Sequence, residues 1–157
     1  MGKMEAENRG IDERVYQHII TIAQQIPALL SMGISVIYLD KGKAGMSMCI
    51  QKKFANARGI IHGGILAALA DSAMGHAIAT LGIRGVTVDL NINYCAPVGK
   101  DVTKLIRADG YVLHAGKTLV VAEAALYNED EKIIAKSRGT FFITPDQIVD
   151  NRYEQGI

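Results

Sequence analysis

Apolar residues recur at Val15, Ile19, Ile22 and Ile26, spacings of four, three and four that stripe one face of a helix. The spacing predicts an N-terminal helix over about residues 11–27, which Pro27 closes or kinks. Residues 34–39 and 44–50 favour strands, and Asp40-Lys41-Gly42-Lys43 between them reads as a hairpin turn. After a mixed segment over residues 52–61, the stretch 63–81 is rich in Ala and Leu and is the most helical of the chain, with Gly82 placed to end it. Ile65, Leu66, Leu69, Ala73, Met74, Ala77, Ile78 and Leu81 cover a broad arc of this helix, so it is expected to be buried on most sides. From Val86 the period becomes two. Val86, Val88, Leu90, Ile92 and Tyr94 are expected on one face of a strand, and Thr87, Asp89, Asn91 and Asn93 on the other. Pro97 and Gly99 end it, and further strands are predicted over 102–113, 118–127 and 133–143, joined by turns at 115–117 and 128–131. Close turns imply antiparallel neighbours.

The order of helix, two strands, long buried helix and four strands predicts an α+β fold in which one sheet covers one central helix. One domain accounts for all 157 residues, with a core over about residues 30–144. The net charge of +1 predicts no general attraction to nucleic acid or to an anionic membrane, so any anionic ligand has to be held locally. Cys49 and Cys95 lie in apolar, strand-like surroundings without CxxC or Cys/His spacing and read as free thiols in the core, neither metal ligands nor a disulfide. The first ten residues are charged and lack the apolar stretch of a secretory signal, and Ala6 stands where a myristoylation signal wants Ser or Thr, so a cytoplasmic protein is expected. No run of 18 apolar residues suggests a membrane span.

The candidate chemistry lies in Asn56-Ala57-Arg58-Gly59-Ile60-Ile61-His62-Gly63-Gly64 and the helix that follows. Paired glycines at a helix start let a ligand approach bare N–H groups, where the positive end of the helix dipole favours developing negative charge. The same two glycines serve equally as a tight loop-to-helix junction. Asp71 stands two turns into the helix, with Ala67, Ala68, Met74 and Gly75 three and four positions away and no Lys or Arg among them. Such a carboxylate is either a solvated polar face or, desolvated beside small neighbours, a general base or nucleophile. Gly63 and Asp71 are eight positions apart, so at about 1.5 Å per residue they lie roughly 12 Å apart along one helix. Both cannot then touch one carbonyl group, which needs each at about 3 Å. If both act, they come from two protomers. Two antiparallel copies of the helix about a twofold axis would bring Gly63 of one to Asp71 of the other and create two equivalent sites.

At these residues the chain resembles the hotdog-fold thioesterase superfamily, in particular its branch of phenylacetic-acid-degradation (PaaI-like) and thioesterase superfamily member 2-like proteins. The resemblance rests on the Asn-x-x-Gly-x-x-His-Gly-Gly run with an Asp nine residues after the His, and on Thr-Val-Asp-Leu-Asn-Ile-Asn-Tyr at residues 87–94. It implies a hotdog fold, an antiparallel sheet wrapped around the long helix, and an acyl-CoA thioesterase with no metal or redox cofactor. It further implies that Asp71 is the general base or nucleophile, that the Gly63 amide polarises the thioester carbonyl, and that Asn56 orients the thioester or the lytic water. His62 would hold the loop, Thr87 would position water with the Asp of its own chain, and Gly64 and Ala68 would line the substrate site. Asp and hydroxyl would come from one protomer and Asn and Gly from the other, in a homodimer that pairs into a dimer of dimers.

Other residues are read structurally. His18 is a helix-surface residue, His76 points away from Asp71, and His114 ends a strand beside a turn. Asp89 is expected on the strand face of Thr87, and Glu123 opposite a basic neighbour across the sheet. Lys100, Lys104, Arg107, Lys117, Lys136 and Arg138 are candidate contacts for the CoA phosphates, among which the sequence does not choose. A rival reading is a non-catalytic acyl-CoA-binding or sensing hotdog protein; a hydratase is weaker, because no second acid-base His sits in a matching motif.

Overall fold

The computed structural model describes residues 6–101 and 103–147. The sequence readings that fall on residues 1–5, on Val102 at the start of a predicted strand, and beyond 147 lie outside them. The described chain folds as β1 (Glu7–Asn8), α1 (Glu13–Ala23), α2 (Pro27–Met32), β2 (Ile34–Asp40), β3 (Lys43–Cys49), a 3₁₀ turn (Lys52–Phe54), α3 (Gly63–Ala79), β4 (Ile83–Tyr94), β5 (Leu105–Ala115), β6 (Leu119–Tyr127) and β7 (Ile133–Gln147). The seven strands make one sheet in the order β1-β2-β3-β5-β6-β7-β4, antiparallel throughout except for the short parallel β1–β2 pair. The chain leaves β3, crosses the sheet as α3 and returns as β4 on the far edge. The sheet curls around α3, the hotdog arrangement.

Close approach of sheet to helix depends on small residues. A Cβ on Gly110 of β5 would lie 2.3 Å from the Ala73 carbonyl oxygen of α3, so only glycine lets the two backbones meet there. Leu66, Leu69, Ala70, Ala73, Met74, Ala77 and Ile78 of α3 are buried against this sheet. At the helix end, Thr80 donates to the Ala77 carbonyl at 2.6 Å and accepts from the Gly42 amide at 2.8 Å, which ties the β2–β3 turn to the C-terminus of α3.

Four readings need correction. Pro27 does not close the first helix: α1 stops at Ala23, and Pro27 opens a second short helix at its first position, where a missing N–H and a fixed φ cost nothing. The buried face of α1 centres on Tyr16 and Ile19, which pack with Leu39 and Ala77, while Ile22 is left exposed. Cys49 and Cys95 are free thiols, yet both are exposed. Met46 and Met48 take the inward positions of β3, so the strand's alternation turns Cys49 outward, and Cys95 lies one residue past the end of β4.

The fourth correction bears on function. In β4, Val86 pairs with Phe142 and Thr87 with Phe141, but the next pair is Asp89 with Thr140, so Val88 is an extra residue in a β-bulge. The bulge breaks the period of two. Thr87 falls on the helix side with Leu90, Ile92 and Tyr94, whose partners Gly139, Ser137 and Ala135 are buried. Asp89 is left on the outer face with Asn91 and Asn93, away from Thr87.

Candidate active site

The loop before α3 is held by its own backbone. Ala55 bridges Ile61 and Ile60 bridges Gly99; the Ile61 amide donates to Val98 and the His62 amide to Phe54, each at 2.9 Å. Gly59 takes φ +73°, a left-handed turn suited to glycine. Inside this turn the Asn56 side-chain oxygen accepts from the amides of Arg58 (2.9 Å) and Ile60 (3.2 Å). Its oxygen is thereby engaged, and the exposed Nδ2 group remains as a donor.

His62 caps α3. Its Nδ1 accepts from the Gly64 amide at 3.1 Å, which puts the neutral ring's proton on Nε2. The Ile65 amide is taken by the His62 carbonyl at 2.9 Å. Gly63 thus presents an amide that no acceptor among the described residues takes, at the positive end of a 17-residue helix. Tyr94 donates to the Gly63 carbonyl at 2.7 Å, and a Cβ on Gly63 would stand 2.9 Å from the Tyr94 ring carbon and hydroxyl. Tyr94 therefore buttresses this glycine from the sheet.

Two turns along the helix, Thr87 Oγ1 donates to Asp71 Oδ1 at 2.7 Å. This bond exists because the Val88 bulge turns Thr87 toward α3. No donor among the described residues reaches Asp71 Oδ2. Beside Asp71 the helix is uncovered: Gly64, Ala68, Asp71 and Gly75, at spacings of four, three and four, are each partly or fully exposed, and a Cβ on Gly75 would meet nothing within 4 Å.

Within one chain the candidate residues therefore form two separate groups. Asn56, His62, Gly63 and Gly64 sit at the helix start, Asp71 and Thr87 two turns on. Tyr94 was missed by the sequence reading, although its place on the inward face of the 87–94 strand, opposite a paired-glycine helix start, was a usable signal. The bulge had no such signal, since Val88 continues the apolar alternation.

The remaining candidates are accounted for elsewhere. His76 Nδ1 donates to the Ser72 carbonyl at 2.7 Å, and burial pushes its pKa down. His18 Nε2 meets Arg84 at 3.1 Å. Glu123 pairs with Arg138 across β6–β7 and accepts from Tyr111; the Tyr111 and Arg138 hydrogen bonds hold its carboxyl below the ordinary range. Asp89 lines a groove of about 550 Å³ on the outer face of the sheet. Among the described residues no group of three or more His, Cys, Asp or Glu side chains is placed to hold a metal ion, and no helix is long and apolar enough to cross a membrane.

A family model described as the thioesterase superfamily matches residues 58–135, a span that holds Gly63, Asp71 and Thr87. Human acyl-coenzyme A thioesterase 13 is 35% identical over 112 residues, 68% of this chain and 77% of that one. The structure of the Escherichia coli PaaI protein from the phenylacetic acid degradation operon superposes with a TM-score of 0.80, covering 88% of this chain and 99% of that chain at 24% identity. A hypothetical thioesterase protein from Streptococcus pneumoniae TIGR4, solved with coenzyme A, superposes with a TM-score of 0.69 at 25% identity, covering 73% of this chain and 90% of that chain. The hotdog sheet wrapped on α3 is the fold of these thioesterase structures, and this chain belongs to the thioesterase superfamily. Within it the chain falls with the PaaI-like and acyl-CoA thioesterase 13-like enzymes.

Proposed function

We propose that this enzyme hydrolyses acyl-CoA thioesters to a free carboxylic acid and CoA, in sites built from two protomers. The observation that carries the reading is the pair of incomplete half-sites on α3. An unused Gly63 amide stands at one, an Asp71–Thr87 hydrogen bond at the other, and about 12 Å of helix separates them. Two features support a homodimer. β4 is the open edge of the sheet, with Val86 and Val88 exposed. The uncovered stripe of Gly64, Ala68, Asp71 and Gly75 is small enough for a second copy of α3 to lie close. On the outer sheet face, exposed Leu119, Phe142 and Val86 stand side by side on β6, β7 and β4, a surface on which dimers can pair into a tetramer.

In the shared site the thioester oxygen accepts from the Gly63 amide, Asn56 Nδ2 donates to the carbonyl or to the lytic water, and the acyl chain runs past Gly64 and Ala68. The partner's Asp71, held by the hydroxyl of its own Thr87, takes a proton from water as the hydroxide adds to the carbonyl carbon. Negative charge moves onto the oxygen facing the helix N-terminus, where the fixed amide and dipole stabilise it without reorganisation. The C–S bond then breaks, and the CoA thiolate takes back the proton from Asp71. If Asp71 attacks directly, an acyl-Asp71 anhydride forms and water hydrolyses it; single turnover in ¹⁸O-water labels the Asp71 carboxylate only on that route. Water is the sole co-reactant on either route. A cytoplasmic setting accords with two exposed, unpaired thiols.

The test is thiol release from acyl-CoAs with short, medium, long and arylacetyl groups. Asp71→Asn is expected to lower kcat by about 10²–10⁴-fold with the fold retained. Undiminished turnover overturns the assignment of Asp71; acyl-CoA binding without release by the wild type gives the site to a binding protein.

A further inference from the structure

We propose that Lys52, Arg58 and Lys100 form the cradle for the phosphates of the CoA nucleotide, and so set the enzyme's preference for CoA thioesters over thioesters that lack that nucleotide. The inference rests on the acyl-CoA reading above and adds a site to it.

Lys52 and Lys100 converge from two loops on one carboxylate: Lys52 Nζ lies 3.6 Å from Asp101 Oδ1, and Lys100 Nζ lies on Asp101 Oδ2. Arg58 is exposed on the adjacent turn, and its guanidinium has no ion pair among the described residues. Two lysines thus share one carboxylate and Arg58 has none, in a chain whose net charge is only +1. Most other described arginines are neutralised in place. Arg107 is held in a two-pronged bond by Glu131 at 2.9 Å on each nitrogen and by Asp109 at 3.1 Å, and Arg138 is taken by Glu123. Arg107 and Arg138 are thus matched by carboxylates of their own, whereas Lys52 and Lys100 divide the single Asp101 between them.

The place of the cluster matters as much as its charge. The Lys100 stem lies over Gly59, where an added Cβ would be 3.4 Å from its Cε, and the Lys100 amide donates to the Gly59 carbonyl at 3.0 Å. Arg58 donates its own amide to Asn56, so the turn that aims Asn56 also carries a cation. The cluster therefore rims the helix-start half-site. A thioester seated at Gly63 leads its pantetheine arm outward to the surface, where a multiply charged phosphate end meets the exposed Lys52 and Arg58 and competes with Asp101 for Lys100.

The experiment compares wild type with the triple variant Lys52→Gln, Arg58→Gln, Lys100→Gln. Its first readout is the ratio of kcat/KM for an acyl-CoA to that for the same acyl group on N-acetylcysteamine, which carries no phosphate. The second is calorimetric binding of adenosine 3′,5′-bisphosphate at low and high salt. The ratio is expected to fall by about 10–100-fold through KM, with bisphosphate binding lost and the wild-type binding weakened by salt. A ratio and a bisphosphate affinity unmoved by the triple variant overturn the cradle. If the wild type hydrolyses neither thioester while the variant alone loses bisphosphate, the cradle stands and the thioesterase reading falls.

Discussion

Asp71→Asn and Gly63→Pro protomers, each nearly inactive alone, are expected to restore one another when they share a dimer. The two positions lie eight residues apart on α3, about 12 Å along its axis, so one chain cannot bring both to one thioester. Proline suits the second variant because it deletes the amide at a first helical position, where helices accept it, after a residue already at φ −60° and ψ 133°. Its ring displaces only the far end of Tyr94, which is half exposed. Loss of the acid-base carboxylate costs about 10²–10⁴-fold and loss of an oxyanion donor about 10²–10³-fold, so each parent dimer retains at most about 1% of the rate. In a mixed dimer one site joins an intact Gly63 to an intact Asp71, and the other carries both lesions. Random pairing makes about half of the dimers mixed, each with one working site, so the pool recovers about a quarter of wild-type activity. Co-expression under two affinity tags and tandem purification raises this to about half, read as thiol release per dimer. Activity that stays at the mean of the two parents, with mixed dimers present in the purified pool, refutes the shared site.

Thr87→Val keeps shape but removes the 2.7 Å donor to Asp71, and is expected to lower kcat by about 10-fold, the worth of one hydrogen bond to a charged group, with KM little changed. Deleting Val88 removes the bulge but makes Thr87 and Asp89 consecutive residues on opposite faces, with Thr87 still toward Asp71, so kcat should stay near wild type; a loss as large as that of Thr87→Val would show that the bulge does more than set the face of Thr87. Gly110→Ala drives a Cβ to 2.3 Å from the Ala73 carbonyl, backbone against backbone, and should cost about 3 kcal/mol in urea unfolding, the upper end for an overpacked core. Burial lowers the pKa of His76 in the folded protein, whereas the unfolded chain protonates it near 6.5. Its contribution to stability is therefore complete above that value and is lost as the pH falls toward the folded pKa. The urea midpoint should drop less between pH 7.5 and 5.5 in His76→Gln than in the wild type at equal protein concentration; an equal drop removes His76 from the acid limb.

Local patterns in the sequence specified much of the molecule, because hydrophobic period and turn chemistry act over a few residues. The long helix starts at Gly63 as its paired glycines and Ala-rich run require, and ends within two residues of the predicted position. The hairpin at residues 40–43 and the strands of the second half fall where alternation put them. Glu123 meets Arg138 because two alternating strands joined by a short turn leave few other registers. The distance between Gly63 and Asp71 was also legible, since helix rise is fixed by backbone geometry.

Tertiary structure alone decided the rest. Which residue of β4 would be unpaired depends on its register against β7, some fifty positions away in the chain, and that one choice at Val88 decides whether Thr87 meets Asp71 or solvent. The buried face of α1 was set by what it docks on, Leu39 and Ala77, rather than by its own stripe. Likewise, the convergence of Lys52 and Lys100 on Asp101 joins a loop after β3 to one after β4. The sequence determined the elements and the spacing of the candidate groups along one helix, because those follow from neighbours in the chain. Which side chains meet across elements was decided only by packing, because those contacts depend on registers that no local pattern encodes.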